Sequence, residues 1–412
     1  MTTTVQTPVS ASTAETDAER RRALRALLRN PLLPAAGETA AAYSLVRRHC
    51  EWLKQWLTRF PAWTLHIDRE MARLRKFPAD NMDETRPAVD RGSGTSFTKR
   101  RYALLCLALA ALEKFDRQTT LIKLAETIMH LVASDRELRT AGLVFDTGNF
   151  DHRRDLLHAI RLLNDQGLLR KLDGDERLFL EGSDRSDVLY EINRHVLAGM
   201  LHLLHSPSTV ERTLQNGPST TGDRAARVIE ETVADTEEGR TKSIRARLVR
   251  VLLDDPVLYF HDLSDAERNY LEKHRTYLLR QISDATGLIA EVRAEGIAMV
   301  DDTGELTDLG LPEDNTYGQL TLLLLQWFAD GLRNGTAAIP ISVVEQYVRE
   351  LIESHRSEWH QEVCEAGAEM RLTEDAISRL RALRLIESTT SSVVPLAACG
   401  RYAGLQSAAS ED

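Results

Sequence analysis

The chain has 412 residues, 52 Lys and Arg against 62 Asp and Glu, and a formal charge of -10; at that length two or three domains are expected, not one core. An apolar fraction of 42% with 28% charged residues predicts a globular protein, and the acidic balance excludes a surface coated in phosphate contacts while leaving room for a local basic patch. Four scattered cysteines, Cys50, Cys106, Cys364 and Cys399, with no CxxC and no histidine at ligand spacing, exclude a disulfide frame or a zinc site and predict a reducing, cytoplasmic setting.

Met1 to about Ala18 is polar and Thr/Ser/Ala-rich, with no apolar signal segment, and is expected to be a disordered leader (1–18). From Glu19, Ala23, Leu24, Leu27 and Leu28 recur at helical spacing until Asn30-Pro31. Arg20, Arg21, Arg22, Arg25 and Arg29 make the other side of that helix basic, which is ordinarily a solvated face. A second helix is predicted over Thr39 to Arg59. Trp63 to Asp68 alternates as a short strand, and Arg69 to Lys76 fits strand or helix. Pro78 to Gly94 has the composition of a flexible connection, and Gly92 to Lys99 that of a hinge. Residues 19–94 are therefore expected to be an N-terminal helical extension.

Ser96 to Glu181 is the stretch around which the rest is organised. Thr98 can cap a helix to about Phe115 whose run from Tyr102 to Leu112 is wholly apolar, too short to span a bilayer and suited to a buried centre. Leu121 to Leu131 forms a second helix, and Asp151 is placed to cap a third with Leu156, Leu157, Ile160 and Leu163 inward. Leu168 to Leu180 then reads as two alternating runs around Asp173-Gly174. Helix, helix, helix and hairpin is the outline of a winged helix. The third helix, in the recognition position, offers His152, Arg153, Arg154 and Arg161. With Lys99, Arg100 and Arg101 at the first helix and Arg170 and Lys171 on the wing, these are the candidate phosphate contacts. A solubilising face on a partner-docking domain fits the same residues. No set of Asn, Gln and Arg is placed to read base edges, so sequence-specific binding is not expected.

Val188 to Leu204 is a further predicted helix, and 206–241 an acidic linker. Ser243 to Leu253 follows as a helix with Arg245, Arg247 and Arg250 outward. Ser264 then opens a long helix with the capping box Ser264-Asp-Ala-Glu267, closed by Gly287. Leu288 to Val292 and Ile297 to Asp301 form a second hairpin. Tyr317 to Leu332, Ile341 to His355 and Leu372 to Arg384 are three more helices, with Leu385 to Ser388 and Val393 to Leu396 as a third pair of wing strands. The expected fold is mainly α with small β-hairpin wings (α+β). It comprises winged-helix domains at 95–205 and 242–315, a third such unit at 316–404 and a tail at 405–412.

Chemistry is hard to place on this chain. Gly92 to Lys99 lacks the Gly-Lys-Ser/Thr ending of a phosphate loop and no strand leads into it. His355, Glu358 and His360 are not at HExxH spacing, and Asp254-Asp255 and Asp301-Asp302, which could resemble nuclease acids, stand beside predicted turns. The expectation is a protein without catalytic residues, cofactor or metal. A winged-helix transcriptional regulator or a nuclease with unrecognised acids are the alternatives.

Several segments in order carry a resemblance: Glu19-Arg-Arg-Arg-Ala-Leu-Arg-Ala-Leu-Leu, Thr95-Ser-Phe-Thr-Lys-Arg-Arg-Tyr-Ala-Leu-Leu and Arg153-Arg-Asp-Leu in the first half. Asp187-Val-Leu-Tyr-Glu-Ile, Glu267-Arg-Asn-Tyr-Leu and Pro395-Leu-Ala-Ala-Cys-Gly-Arg-Tyr-Ala403 continue it. Over nearly its whole length the chain resembles a family encoded in the four-gene Wadjet anti-plasmid cassette of bacteria. The resemblance implies a KITE-like (MukE-like) subunit: a tandem winged-helix protein that forms a homodimer and binds the kleisin of an SMC complex. Its implied partners are that kleisin, an SMC-type ATPase, a topoisomerase-like nuclease that does the cutting, and non-specific double-stranded DNA, with no membrane.

Overall fold

A computed structural model of the chain describes residues 9–79, 83–182, 187–200, 231–313, 315–360 and 367–403, with a few isolated positions between them. About half of the expected acidic linker, the whole tail and Cys364 lie outside the described residues, and the linker's last residues, from Glu237, are helical. The described part is mostly helical with small antiparallel sheets, an α+β chain.

One order of elements recurs: a helix, a short strand, further helix or turn, then two strands of which the second lies between the other two. The first round is α1 (Val9–Arg29), β1 (Leu32–Pro34), α2 (Ala40–Arg48), α3 (Cys50–Arg59), β2 (Thr64–Ile67) and β3 (Met71–Arg75), with sheet order β1-β3-β2. The second is α4 (Lys99–Leu112), β4 (Gln118–Thr120), α5 (Leu121–Ser134), α6 (Arg136–Thr140), α7 (Phe150–Asp165), β5 (Leu169–Asp173), α8 (Glu176–Leu180) and β6 (Leu189–Ile192), with order β4-β6-β5, followed by α9 (Arg194–Met200). The third is α10 (Glu237–Asp254), β7 (Leu258–Tyr259), a helical turn Phe260–Asp262, α11 (Asp265–Thr286), β8 (Ile289–Val292) and β9 (Gly296–Val300), with order β7-β9-β8. The fourth is α12 (Thr316–Arg333), β10 (Ile339–Pro340), α13 (Ile341–Ser354), α14 (Ala368–Ala382), β11 (Ile386–Ser388) and β12 (Ser392–Pro395), with order β10-β12-β11.

Local chemistry sets many of these boundaries. The Thr98 hydroxyl accepts from the Arg101 N–H to start α4, and Ser264 and Glu267 close a complete capping box on α11, which ends at Gly287 in the left-handed conformation. At α7 the cap is Asn149, not Asp151: its side chain accepts from the N–H of Asp151 and His152. The predicted helix over Thr39 to Arg59 is two helices, broken at His49.

Other expectations change more. Helix α1 begins at Val9, inside the segment expected to be a disordered leader. Residues expected to be a helical extension carry a sheet of their own, in which Arg69 to Lys76 resolves as strand β3. The second run of the predicted wing, Glu176 to Leu180, is the short helix α8, because Asp175 caps it by accepting from the Arg177 N–H. The returning strand is instead β6, inside the predicted helix Val188 to Leu204. The loop before α4 is a closed turn and not a hinge: Asp90 accepts from Gly92 N, Ser93 N and Ser93 Oγ, and Val89 bridges Ser96. Helix α4 buries Leu104, Ala108, Ala111 and Leu112, but Tyr102, Cys106 and Ala110 on its other side are exposed.

The buried apolar residues fall into three clusters. Two belong mainly to the second and fourth rounds. The third joins the first and third rounds: Leu24, Leu27 and Leu57 share a core with Leu248, Leu278 and Ile282, and α1 lies along α11. Arg25 is buried at this seam. Its guanidinium donates to both oxygens of Asp301 at 3.0 Å, to Glu305 at 3.0 Å and to the Thr286 carbonyl at 3.1 Å. Its place within the basic side of α1 suggested a solvated face; burial shows a clamp. Likewise Lys76 contacts Asp254 at 2.5 Å, and buried Arg250 donates to the Pro61 carbonyl at 2.7 Å.

Replacing Arg25 by Ala leaves the Asp301 carboxylate, 3% exposed, without its counter-charge, and should cost about 3 kcal/mol. Chemical denaturation should show the loss as a lower midpoint, whereas Arg22→Ala on the exposed side of the same helix should leave the midpoint unmoved.

Candidate nucleic-acid interface

The eight basic residues singled out from sequence do not form one open surface. Lys99 and Arg100 start α4, and Arg101 turns inward there. Arg101 is 5% exposed; its Nε donates to Asp155 Oδ1 at 2.8 Å and a terminal nitrogen donates to the Ser96 carbonyl at 3.1 Å. Arg100 Nε takes the other oxygen of Asp155 at 2.6 Å. Burial pushes the Asp155 carboxyl up, but the bonds from Arg101 and Arg100 outweigh it and hold it below the usual carboxylate range. This triad fastens the start of α4 to the middle of α7.

Arg153 is buried too. It donates to the Leu180 carbonyl at 2.7 and 3.0 Å and to the Thr147 carbonyl, tying α7 to the end of α8. Arg101 and Arg153 are therefore corrected from phosphate contacts to internal ties, since their donors are already directed at buried acceptors. Arg161 is half-buried and bound to Glu176 at 3.0 Å, and Glu176 in turn accepts from the buried Tyr190 hydroxyl at 2.9 Å. His152 accepts the Asp146 N–H at 3.1 Å.

Four of the eight face solvent. Arg154 is exposed, 2.8 Å from Asp151, with its guanidinium over the Phe150 ring. Arg170 is exposed and paired across the sheet with Glu191 at 2.9 Å. Lys99 and Lys171 are exposed and, among the described residues, have no ion-pair partner. An exposed pair one turn apart or across two strands opens at little cost, so these four remain able to meet an anion.

The closed turn before α4 is held against α7 as well. Asp90 and His158, both buried, lie 2.9 Å apart. Burial raises the Asp90 carboxyl, yet the contacts with His158 and Ser93 bring it down to about 2. Beside this turn, the Tyr102 hydroxyl accepts the Ala88 N–H at 2.7 Å, and Leu105 and Leu109 are half-buried along the exposed side of α4.

Three of the four acids considered for nuclease chemistry have cationic partners, and the fourth, Asp302, is exposed. Asp301 faces Arg25, Asp254 faces Lys76, and Asp255 lies 3.6 Å from Arg384. His355 stacks on Trp359 with ring centroids 5.0 Å apart. Among the described residues no group of three His, Cys, Asp or Glu is placed to hold a metal ion.

A polar cleft of about 670 Å³ separates the third round from the fourth, lined by Asp83, Arg86, Asp255, Asp262 and Arg384. Sequence reading missed it. Arg384 sits just past α14 with φ at 52°, a conformation glycine usually supplies. Its side chain explains its presence: it reaches Asp262 at 2.6 Å, lies over the Tyr259 ring, and its carbonyl accepts the Tyr259 hydroxyl at 2.7 Å. The one signal in sequence was the lack of glycine after a predicted helix.

Residues 24–405 match the family described as "Protein of unknown function (DUF2398)". The chain belongs to this family. No curated protein and no solved structure matches this DUF2398 chain. Among the described residues no helix is long and apolar enough to cross a membrane.

Burial, partly countered by Arg384 and reinforced by Asp254, pushes the Asp255 carboxyl up to about 6. A carboxyl raised above its unfolded value contributes stability that is fully present below about pH 3.9 and lost as pH rises through about 6. Asp255→Asn should therefore raise the melting temperature at pH 7.5 and flatten its decline between pH 4 and pH 7, as measured by thermal denaturation across that range.

Proposed function

We propose that this protein is a non-catalytic, tandem winged-helix subunit of KITE type. In this reading it serves an SMC-like complex that grips and restricts circular plasmid DNA. The observation that carries the reading is the recurring order of helix, strand, helix and hairpin, with the returning strand always central. That arrangement supports a winged-helix reading, and repetition in tandem suits a subunit that offers several docking faces. The segmental resemblance to the Wadjet cassette supplies the rest.

In this reading the partners are a kleisin, an SMC-type ATPase and a topoisomerase-like nuclease, and the chain forms a homodimer. The exposed apolar side of α4, with Tyr102, Cys106, Ala110 and the half-buried Leu105 and Leu109, is the surface assigned to a protein partner. Phosphate contact falls to the exposed cations Lys99, Arg154, Arg170 and Lys171. Such contacts are indifferent to sequence, as a clamp on any plasmid requires.

Co-expression with the three neighbouring gene products should yield a complex containing two copies of this chain. Native mass measurement reads the stoichiometry, and a monomer that binds none of them sinks the reading. Replacing Lys99, Arg154 and Lys171 together by Glu should weaken duplex binding at least tenfold and lower its salt dependence by about three ions. An unchanged salt slope would remove this surface from the interface.

A further inference from the structure

Strand β3 carries two arginines that nothing in the functional reading uses. Arg73 and Arg75 alternate with Ala72 and Leu74, which face the shared core, so the two guanidinium groups lie on the other side of the sheet. Directly across β2 stand His66, opposite Arg73, and Thr64, opposite Arg75, both exposed. Both arginines are half-buried. Among the described residues neither has an ion-pair partner, and the Nε of each is buried without a hydrogen bond. Burial first, and the charge of Arg75 second, pull the Arg73 guanidinium below its ordinary value.

Such a pair is costly as it stands. Two like charges are partly removed from water in a chain of charge -10 that supplies acids to most other buried arginines, among them Arg25, Arg101 and Arg250. The carboxylate at the turn of the hairpin does not serve them: Asp68 accepts from His195 at 2.7 Å, from His66 at 3.1 Å and from the N–H groups of Glu70 and Met71. At the tip Arg69 is exposed, beside Glu70, and is likewise without an ion-pair partner among the described residues. Arg69, Arg73 and Arg75 thus mark one hairpin over roughly 20 Å, too long for a single small anion. Same-face neighbours on a strand are about 6.8 Å apart, so each guanidinium can take a separate anionic group from one polymer.

We propose that the β2-β3 hairpin is a second nucleic-acid contact, in which Arg73 and Arg75 bind successive phosphates of a backbone along the β2 edge of the sheet. Arg69 extends the contact at the tip. The site is independent of the α4-α7 surface and of the assembly reading. A guanidinium fork matches phosphate oxygens in pairs, and the row has no side chain arranged to read bases, so the contact is to backbone and tolerant of sequence.

The test uses the full chain with a fluorescein-labelled DNA duplex, titrated at several salt concentrations, and labelled polyglutamate as a second probe. Arg73→Gln with Arg75→Gln should weaken duplex binding at least fivefold and reduce the salt slope by about two. The melting temperature should hold or rise, because removing a half-buried like-charge pair that has no counter-charge among the described residues relieves the fold. Arg73→Lys with Arg75→Lys should keep most of the salt slope. A melting temperature that falls while duplex binding is unchanged would assign the pair a structural role and overturn the proposal. Polyglutamate bound as tightly as duplex, and lost in the same variant, would make the site a dock for an acidic peptide and overturn it equally. If the wild-type chain binds no duplex, the proposal fails while co-purification with partners still judges the assembly reading.

Discussion

Arg25 sits where two separate parts of the chain become one body. Its helix, α1, lies in a core shared with α10 and α11, more than two hundred residues away, and its guanidinium is enclosed by Asp301, Glu305 and the Thr286 carbonyl. Burying an arginine in apolar surroundings is unfavourable unless every donor finds an acceptor in good geometry. Here the acceptors come from the end of α11 and the segment after β9. The contact therefore specifies how the first round meets the third as well as stabilising it. Leu24, Leu27, Leu278 and Ile282 supply the non-directional attraction, and Arg25 supplies the register.

The same device recurs at other seams. Lys76 meets Asp254, Arg250 meets Pro61 and Glu231, and Arg384 meets Asp255 and Asp262. At the seam between the first and second rounds, Asp68 meets His195, whose ring is raised by that bond. Apart from Arg250 with Glu231, which precedes α10 in the chain, each contact joins a cation of one round to an acid or carbonyl of another. Asp254, Asp255 and Asp301, which might have suggested metal-dependent cleavage, thus serve as counter-charges. Arg384, in a left-handed backbone conformation, is held there by what its side chain reaches. Lys99 and Lys171 on one surface and Arg73 and Arg75 on another, which have no such partners among the described residues, gain meaning by contrast.

Much of the local structure was legible in the residues. Thr98, the Ser264-Glu267 box and Gly287 announced helix ends, because capping is chemistry between neighbours. Alternation at 289–292 and 296–300 announced a hairpin for the same reason. Two local readings failed, one to competing local chemistry and one to strand pairing with distant residues. Asp175 caps a helix where alternation had suggested a strand, and Leu189 to Ile192 pairs as a strand inside an apolar run that had looked helical. Of the eight proposed phosphate ligands, the exposed four could be told from the others only after folding. Arg153 and Arg154 are adjacent in sequence, and a helix turns one toward the Leu180 carbonyl and the other toward water.

The sequence by itself determined the α+β class, most helix positions, two of the hairpins and the lack of any recognisable catalytic motif. These depend on periodicity and on contacts among near neighbours. Tertiary structure alone decided that residues 23–79 share a core with residues 248–297, that Arg25, Arg101, Arg153 and Arg250 are internal, and that Arg73 and Arg75 are half-buried with no counter-charge among the described residues. The physical reason is distance along the chain. Whether a charged side chain is a solvated ornament, a clamp or a ligand depends on which acids a remote segment brings within a few ångströms, and local pattern carries no record of that.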